Sequence, residues 1–168
     1  MHRRARKPGF TLVELVVVVV IVGVIASIAI PRISRGSAAA KNAVTAGDLH
    51  ILRTALLHYA AEHNNEFPGP TGDRVAEQLT SYTNLLGAVS YTRSSDYPFG
   101  PYLHEIPPCP IGFHPGSATI AIDDTNSPPA NAPASEAGWV YNPNTGEIRP
   151  NAAGWNELEA TTEPLTTD

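Results

Sequence analysis

The most apolar stretch of the chain lies near its start. Residues 15–30 contain no charged side chain and a single hydroxyl, that of Ser27. Counted from Phe10, the run is 21 residues long, and a helix of that length rises about 31 Å, close to the ~30 Å hydrocarbon core of a bilayer. The pattern therefore predicts a transmembrane helix over residues 10–30, with one carboxylate, Glu14, inside it.

An amphipathic pattern follows Pro31. Spacings of three, four and three place four residues on one helical face: Leu49, Leu52, Leu56 and Tyr59. The turn-forming run NNEFPGP at residues 64–70 ends the pattern. We therefore predict one long N-terminal helix with a transmembrane half and an amphipathic half, the latter over about residues 32–64.

Shorter elements are predicted in the rest of the chain. Asp73 can cap a short helix over about residues 73–83, whose inward-facing residues are Val75, Ala76 and Leu79. The run ATIAI at residues 118–122 is typical of a strand, and WVY followed by NPNTG and EIR at residues 139–149 is typical of a hairpin.

These elements predict an α+β fold. The long helix needs a cover for its apolar stripe, and a small antiparallel sheet with strands at about residues 117–149 supplies one. Residues 152–168 are predicted to form a flexible C-terminal tail.

Charge is distributed unevenly along the chain. The formal net charge is 11 − 16 = −5, and four of the cations precede Gly9: Arg3, Arg4, Arg6 and Lys7. Without them the remainder carries 7 − 16 = −9, which disfavours nucleic acid as a partner because phosphate binding needs a basic surface. Basic residues before an apolar span also favour a cytoplasmic N terminus. Cys109 is the single cysteine, so no intrachain disulfide can form.

Two simpler interpretations of the apolar segment leave Glu14 unexplained. A secretory signal peptide would be cut after Ala29, but the apolar run exceeds the usual length of such a segment and contains a carboxylate. In an ordinary membrane anchor, Glu14 would only raise the free energy of membrane insertion, by up to roughly 3 kcal/mol at depth and by less near the interface.

The sequence KPGFTLVE at residues 7–14 resembles the prepilin processing site of type IV pilins and type II secretion pseudopilins. The resemblance implies a leader peptide of residues 1–9, cleavage between Gly9 and Phe10, and N-methylation of Phe10. Glu14 would pair with the Phe10 amine of an adjacent subunit, which gives a carboxylate in an apolar span a cationic partner. Pro31 matches the position at which the pilin helix kinks as it leaves the membrane.

Two stretches of the C-terminal half resemble one branch of this family, the major pseudopilin of type II secretion. They are FGPYLHEIPPCP at residues 99–110 and GWVYNPNTGEIRPN at residues 138–151. The resemblance implies an extracytoplasmic, pilin-like globular domain over residues 31–151. The segments 90–97 and 127–137 and the tail depart from the pattern, so a minor pseudopilin or a type IV pilin stays open.

Few residues suggest chemistry. The histidines at 50, 58 and 63 lack the i, i+4 spacing of zinc ligands and are interpreted as solvated helix residues. Asp123 and Asp124 are the candidate metal ligands, because major pseudopilins carry a calcium site in the corresponding loop; a solvated turn is the alternative interpretation. The motifs of serine hydrolases, phosphate loops and C-x-x-C sites do not occur.

The resemblance thus implies a structural subunit, not an enzyme, and no required cofactor. It implies a pseudopilus that drives protein export, with other copies, other pseudopilins, the prepilin peptidase and an inner-membrane assembly platform as partners. The chain would cross the bacterial inner membrane once, with its globular domain in the periplasm. The alternatives are a type IV pilin for adhesion, motility or DNA uptake and, from another class, a membrane-tethered extracytoplasmic enzyme.

Overall fold

A computed structural model of the chain describes residues 10–69 and 72–154, with only the backbone of residues 28–37 and 72–73. The chain divides into two compact units, one through Ala40 and one from Lys41. The described residues form two helices and five short strands: α1 (Leu12–Glu62), α2 (Gly72–Thr80), β1 (Tyr82–Thr83), β2 (Val89–Ser90), β3 (Ile120–Ile122), β4 (Trp139–Tyr141) and β5 (Ile148–Pro150). The predicted α+β class is confirmed.

The first unit contains the N-terminal part of α1. Among the residues described, none of the helices has a stretch long and apolar enough to cross a membrane. Residues 28–30 of the predicted span lie outside the described side chains. The transmembrane segment over residues 10–30 stays a prediction.

The second unit is organised around the apolar stripe of α1. Its four predicted members are at most 3% exposed: Leu49, Leu52, Leu56 and Tyr59. They join one core cluster with residues of α2 and the sheet, among them Val75, Leu79 and Trp139. Burying an aliphatic side chain of this size contributes about 1.5–3 kcal/mol, so the stripe stabilises the core of this unit.

The sheets differ from the antiparallel prediction in one pairing. β4 is the central strand of three, and β5 pairs with it antiparallel, as the predicted hairpin requires. β3 instead pairs with β4 in parallel, with Ile120 opposite Trp139. The connection explains the difference, because residues 123–138 return the chain to the start of β4, and a parallel pair needs a crossover of a dozen or more residues.

Two other predicted element boundaries differ from those in the structure. α2 ends at Thr80, not near residue 83, because Tyr82 and Thr83 form β1 and pair with β2. Asp73 lies within α2, and its side chain is outside those described. Ala152, the first residue of the predicted tail, is 5% exposed and belongs to the core, while residues 155–168 lie outside the described part of the chain.

Candidate functional site

Thr11 and Glu14 form a capping box at the start of α1. The backbone N–H and the hydroxyl of Thr11 each donate to Oε2 of Glu14 at 2.8 Å, and the Glu14 N–H donates to Oγ1 of Thr11 at 3.2 Å. This arrangement satisfies N–H groups that the first helical turn leaves without an acceptor. The sequence signal for this capping role is a threonine followed three residues later by a glutamate, at residues 11 and 14. The prediction of Glu14 as an assembly residue did not include it.

Glu14 keeps one oxygen for a second partner. Both of the bonds that it accepts end on Oε2, and no described residue donates to Oε1. The side chain is exposed. Capping within the chain and pairing with the Phe10 amine of a neighbour are therefore geometrically compatible, and the predicted pairing stays a prediction.

The side chains that follow the capping box expose an unusual amount of apolar surface. Phe10 is 80% exposed and Leu12 78%, and the large apolar residues from Val13 to Ile25 are between 47% and 69% exposed. A Cβ added at Gly23 would meet nothing within 4 Å. Because contiguous apolar surface of this kind marks an interaction or membrane site, this segment is the main candidate functional site.

The remaining predicted residues of this segment are only partly described. Gly9, on the leader side of the predicted cleavage, lies outside the described residues. Pro31 lies within α1, but its side chain is outside those described. The cleavage and the kink both stay predictions.

The Asp123 carboxylate organises the loop that leaves β3. It accepts the backbone N–H groups of Thr125 and Asn126 at 3.1 and 3.2 Å and that of Ala130 at 2.6 Å. The side-chain amide of Asn126 donates to both oxygens, at 3.1 and 2.8 Å. These bonds, that of Ala130 foremost, lower the pKa of Asp123 to about 2, since each favours the charged carboxylate.

This geometry does not fit a resident calcium ion. Calcium takes six to eight oxygen ligands, whereas both oxygens of Asp123 already accept N–H groups. In the described part of the chain, no three histidine, cysteine or acidic side chains converge as metal ligands. Asp124 accepts the Thr125 hydroxyl at 3.2 Å, so the solvated-turn interpretation of this loop agrees better with the geometry.

His63 differs from the prediction of three solvated helix histidines. His50 and His58 are exposed, but His63 is only 2% exposed. Its Nδ1 lies 2.8 Å from the Tyr59 carbonyl oxygen, and its ring stacks on that of Tyr59 with centroids 3.7 Å apart. The reason is its place directly after the last residue of α1, where Phe99 lies against it with ring centroids 5.2 Å apart.

Comparison with known families agrees with the N-terminal geometry. Residues 4–30 match the family model described as the prokaryotic N-terminal methylation motif. No curated protein and no solved structure matches the chain. The motif implies processing by prepilin peptidase and assembly into pilin-like polymers, and it points to a structural protein. The chain therefore carries the N-terminal signal of type IV pilin-like and pseudopilin-like proteins, on an α+β fold consistent with them.

Proposed function

We propose that the chain is the structural subunit of a type II secretion pseudopilus. It is cleaved between Gly9 and Phe10, N-methylated at Phe10, and polymerised through its N-terminal helix. The observation that carries this proposal is the exposed apolar surface from Phe10 to Ile25, which begins at a capped helix terminus inside the matched motif.

The physical argument is that this surface needs an apolar environment. Before assembly, lipid covers the valine and isoleucine side chains, and the subunit crosses the inner membrane once with a cytoplasmic N terminus and a periplasmic globular domain. After assembly, the same side chains pack against those of other copies, and Glu14 pairs with a neighbouring amine. One surface thus serves both states.

The proposed partners follow from this cycle. The prepilin peptidase removes the leader, an inner-membrane platform extracts the subunit, and other copies and other pseudopilins complete the fibre. Growth of a short fibre would push exported proteins toward an outer-membrane pore. No nucleic acid is expected, because the chain without its leader carries a net charge of −9.

Mass analysis of the N terminus tests the processing step. The wild type should begin with methylated Phe10, and Gly9→Val should retain the leader and stay unassembled in the membrane. A wild-type chain that keeps Met1, or one cut after Ala29, would contradict the proposal.

A deletion strain tests the secretion role. We expect exported proteins to accumulate in the periplasm and export to return with the wild-type gene, but not with Gly9→Val. Normal export together with lost surface attachment, motility or DNA uptake would contradict the secretion role and favour a type IV pilin.

A further inference from the structure

A polar cavity lies beside the C-terminal end of α1. It has a volume of about 320 Å³, which is at the lower end of the range for small-molecule sites. Two of its lining residues, Tyr59 and Gln78, are buried, at 3% and 5% exposed, whereas Glu66 and Asp124 line it with exposed side chains. We call it the Tyr59 cavity. All of its lining residues belong to the second unit.

The hydroxyl of Tyr59 is unsatisfied at the wall of this cavity. Among the described residues, it has no hydrogen-bond partner. An added Cβ at Gly87, which also lines the cavity, would lie 2.6 Å from the hydroxyl oxygen. Burial raises the pKa of Tyr59 to about 12, so the hydroxyl keeps its proton at neutral pH. A buried polar group without a partner in the chain indicates that water or a ligand binds it.

The neighbouring amide of Gln78 is already bonded within the chain. Its Oε1 accepts the Gly69 N–H at 3.0 Å, and its Nε2 donates to the Gly87 carbonyl at 2.8 Å. These bonds hold two of the backbone segments that line the cavity. The wall around Tyr59 is therefore fixed before a ligand binds, which lowers the entropic cost of binding.

The side-chain groups that remain at the cavity are mostly acceptors. In the described part of the chain, no residue donates to the Glu66 carboxylate, and the Asp124 carboxylate accepts only the Thr125 hydroxyl, at 3.2 Å. The Asn144 amide donates to the Asp124 backbone carbonyl at 2.9 Å, which leaves the Asn144 side-chain oxygen as an acceptor. A matching ligand therefore carries several hydrogen-bond donors, and an anion such as phosphate does not fit.

The charges beside the cavity favour a neutral ligand over a cation. Arg74 donates to the Gly87 carbonyl at 3.2 Å, and its positive charge influences Tyr59 more than the negative charge of Glu66 does. This guanidinium repels an ammonium ion placed near the hydroxyl. A metal ion does not fit either, because no three histidine, cysteine or acidic side chains converge in the described residues.

A sugar has the required properties. Its hydroxyls are uncharged donors that also accept a bond from a phenol, and its C–H face can pack on the apolar lining residues Phe67, Leu85 and Pro143. We propose that the Tyr59 cavity binds a neutral pyranose unit, either a free sugar or one residue of a longer glycan. This site goes beyond the proposed function, because fibre assembly neither requires nor supplies such a ligand.

Saturation-transfer NMR tests the site with the full chain, in micelles of a detergent that contains no sugar. The probes are the methyl glycosides of glucose, galactose, mannose and N-acetylglucosamine, with butylammonium as the cationic comparison. We expect signal from at least one of the sugars and none from butylammonium. Signal from no sugar, or from butylammonium in place of the sugars, would overturn the proposal.

Removal of the hydroxyl locates the binding site. Tyr59→Phe should weaken sugar binding by roughly two- to tenfold, the equivalent of one neutral hydrogen bond. Its melting temperature should equal that of the wild type, because the hydroxyl has no partner among the described residues. Tyr91→Phe is the matched control, since Tyr91 is 82% exposed and does not line the cavity. Unchanged affinity in Tyr59→Phe, or an equal loss in Tyr91→Phe, would place the sugar elsewhere and overturn the site.

Glu66→Ala gives a second test that leaves the core untouched. Glu66 is exposed, so its removal should not affect folding, and the affinity should fall at least as far as in Tyr59→Phe because a bond to a charged acceptor is stronger. Glu136→Ala, at another exposed acid outside the cavity lining, should bind the sugar normally. Wild-type affinity in Glu66→Ala would also overturn the site.

An oligosaccharide of the sugar that binds distinguishes the two sources. Tighter binding of the oligosaccharide than of the methyl glycoside supports a glycan chain as the ligand, and equal affinity supports a single sugar. Binding of the oligosaccharide that Tyr59→Phe and Glu66→Ala both leave unchanged would overturn the site.

Discussion

The Thr11 backbone N–H donates to Oε2 of Glu14 at 2.8 Å, so the single carboxylate of the apolar run closes the first turn of its own helix. This bond gives Glu14 a role in an isolated subunit, in addition to the pairing proposed for the fibre. The two roles need different properties of the side chain: capping needs an acceptor oxygen, and pairing with an amine needs negative charge.

Substitution of Glu14 can separate these roles. Glu14→Gln should keep the cap, because glutamine also serves in a capping box, yet impair fibre assembly, because it removes the charge. Glu14→Leu should improve membrane partitioning and impair assembly similarly. Membrane fractionation and sheared-fibre yield measure the two effects. Thr11→Val is the matched control, since it removes the hydroxyl of the cap, keeps the carboxylate, and should still assemble.

Normal fibres from Glu14→Gln would show that charge pairing does not drive assembly. The cap would then be the sufficient reason for a carboxylate at this position.

Acid titration should reveal the loop bonds of Asp123. Its folded pKa of about 2 lies below the unfolded value, so the carboxylate stabilises the fold above about pH 4 and loses this contribution as the pH falls toward 2. Asp123→Asn should cost about 1 kcal/mol at pH 7, after allowance for solvent screening. Urea unfolding from pH 7 to 2 measures the difference from wild type, which should shrink toward zero in acid. A constant difference would contradict the assignment.

Calcium should leave the stability of the protein unchanged. An ion that binds only the folded state raises the melting temperature by mass action, but the Asp123 oxygens already accept N–H groups. Thermal unfolding at millimolar calcium is the measurement, with magnesium as the control. A rise specific to calcium and absent from Asp123→Ala would show that the loop rearranges to bind it.

Removal of the Tyr141 hydroxyl should destabilise the core. This hydroxyl donates to the Pro68 carbonyl at 2.9 Å and ties β4 to the segment after α1. Tyr141→Phe leaves that carbonyl without its partner, so we expect a loss of roughly 1 kcal/mol in the free energy of unfolding. Tyr91→Phe, at an exposed site, should change nothing. Denaturant unfolding of both variants provides the comparison, and equal stabilities would refute the expected contribution.

The helix and its buried stripe could be predicted because helical periodicity is local. Leu49, Leu52 and Leu56 repeat at the spacing of one face, and all three are buried. The parallel pairing of β3 with β4 could not be predicted in the same way. The direction of β4 depends on the path of residues 123–138, and no short-range sequence pattern encodes that path. The burial of His63 was missed for a similar reason, because Phe99 and Tyr102 come from distant sequence.

At the candidate site, the sequence indicated Phe10 and Glu14 through a resemblance and the apolar run through composition. The spacing of Thr11 and Glu14 also indicated a capping box. This box was not predicted, because Glu14 was interpreted only as an assembly residue. For Asp123 the sequence contains no such signal. A carboxylate in a polar loop looks the same in the sequence whether it binds a metal ion or accepts hydrogen bonds from nearby backbone N–H groups, as Asp123 does.

The position of β4 and β5 near the end of the chain sets the order in which the core can form. The core of the globular domain closes only when Trp139 and Ile148, which belong to the last two strands, reach a helix stripe made some ninety residues earlier. Until then Leu52 and Leu56 have no cover from the sheet. During synthesis from the N terminus, the apolar stripe of α1 is therefore exposed before the strands that cover it have been made, and chaperones have that interval in which to bind it.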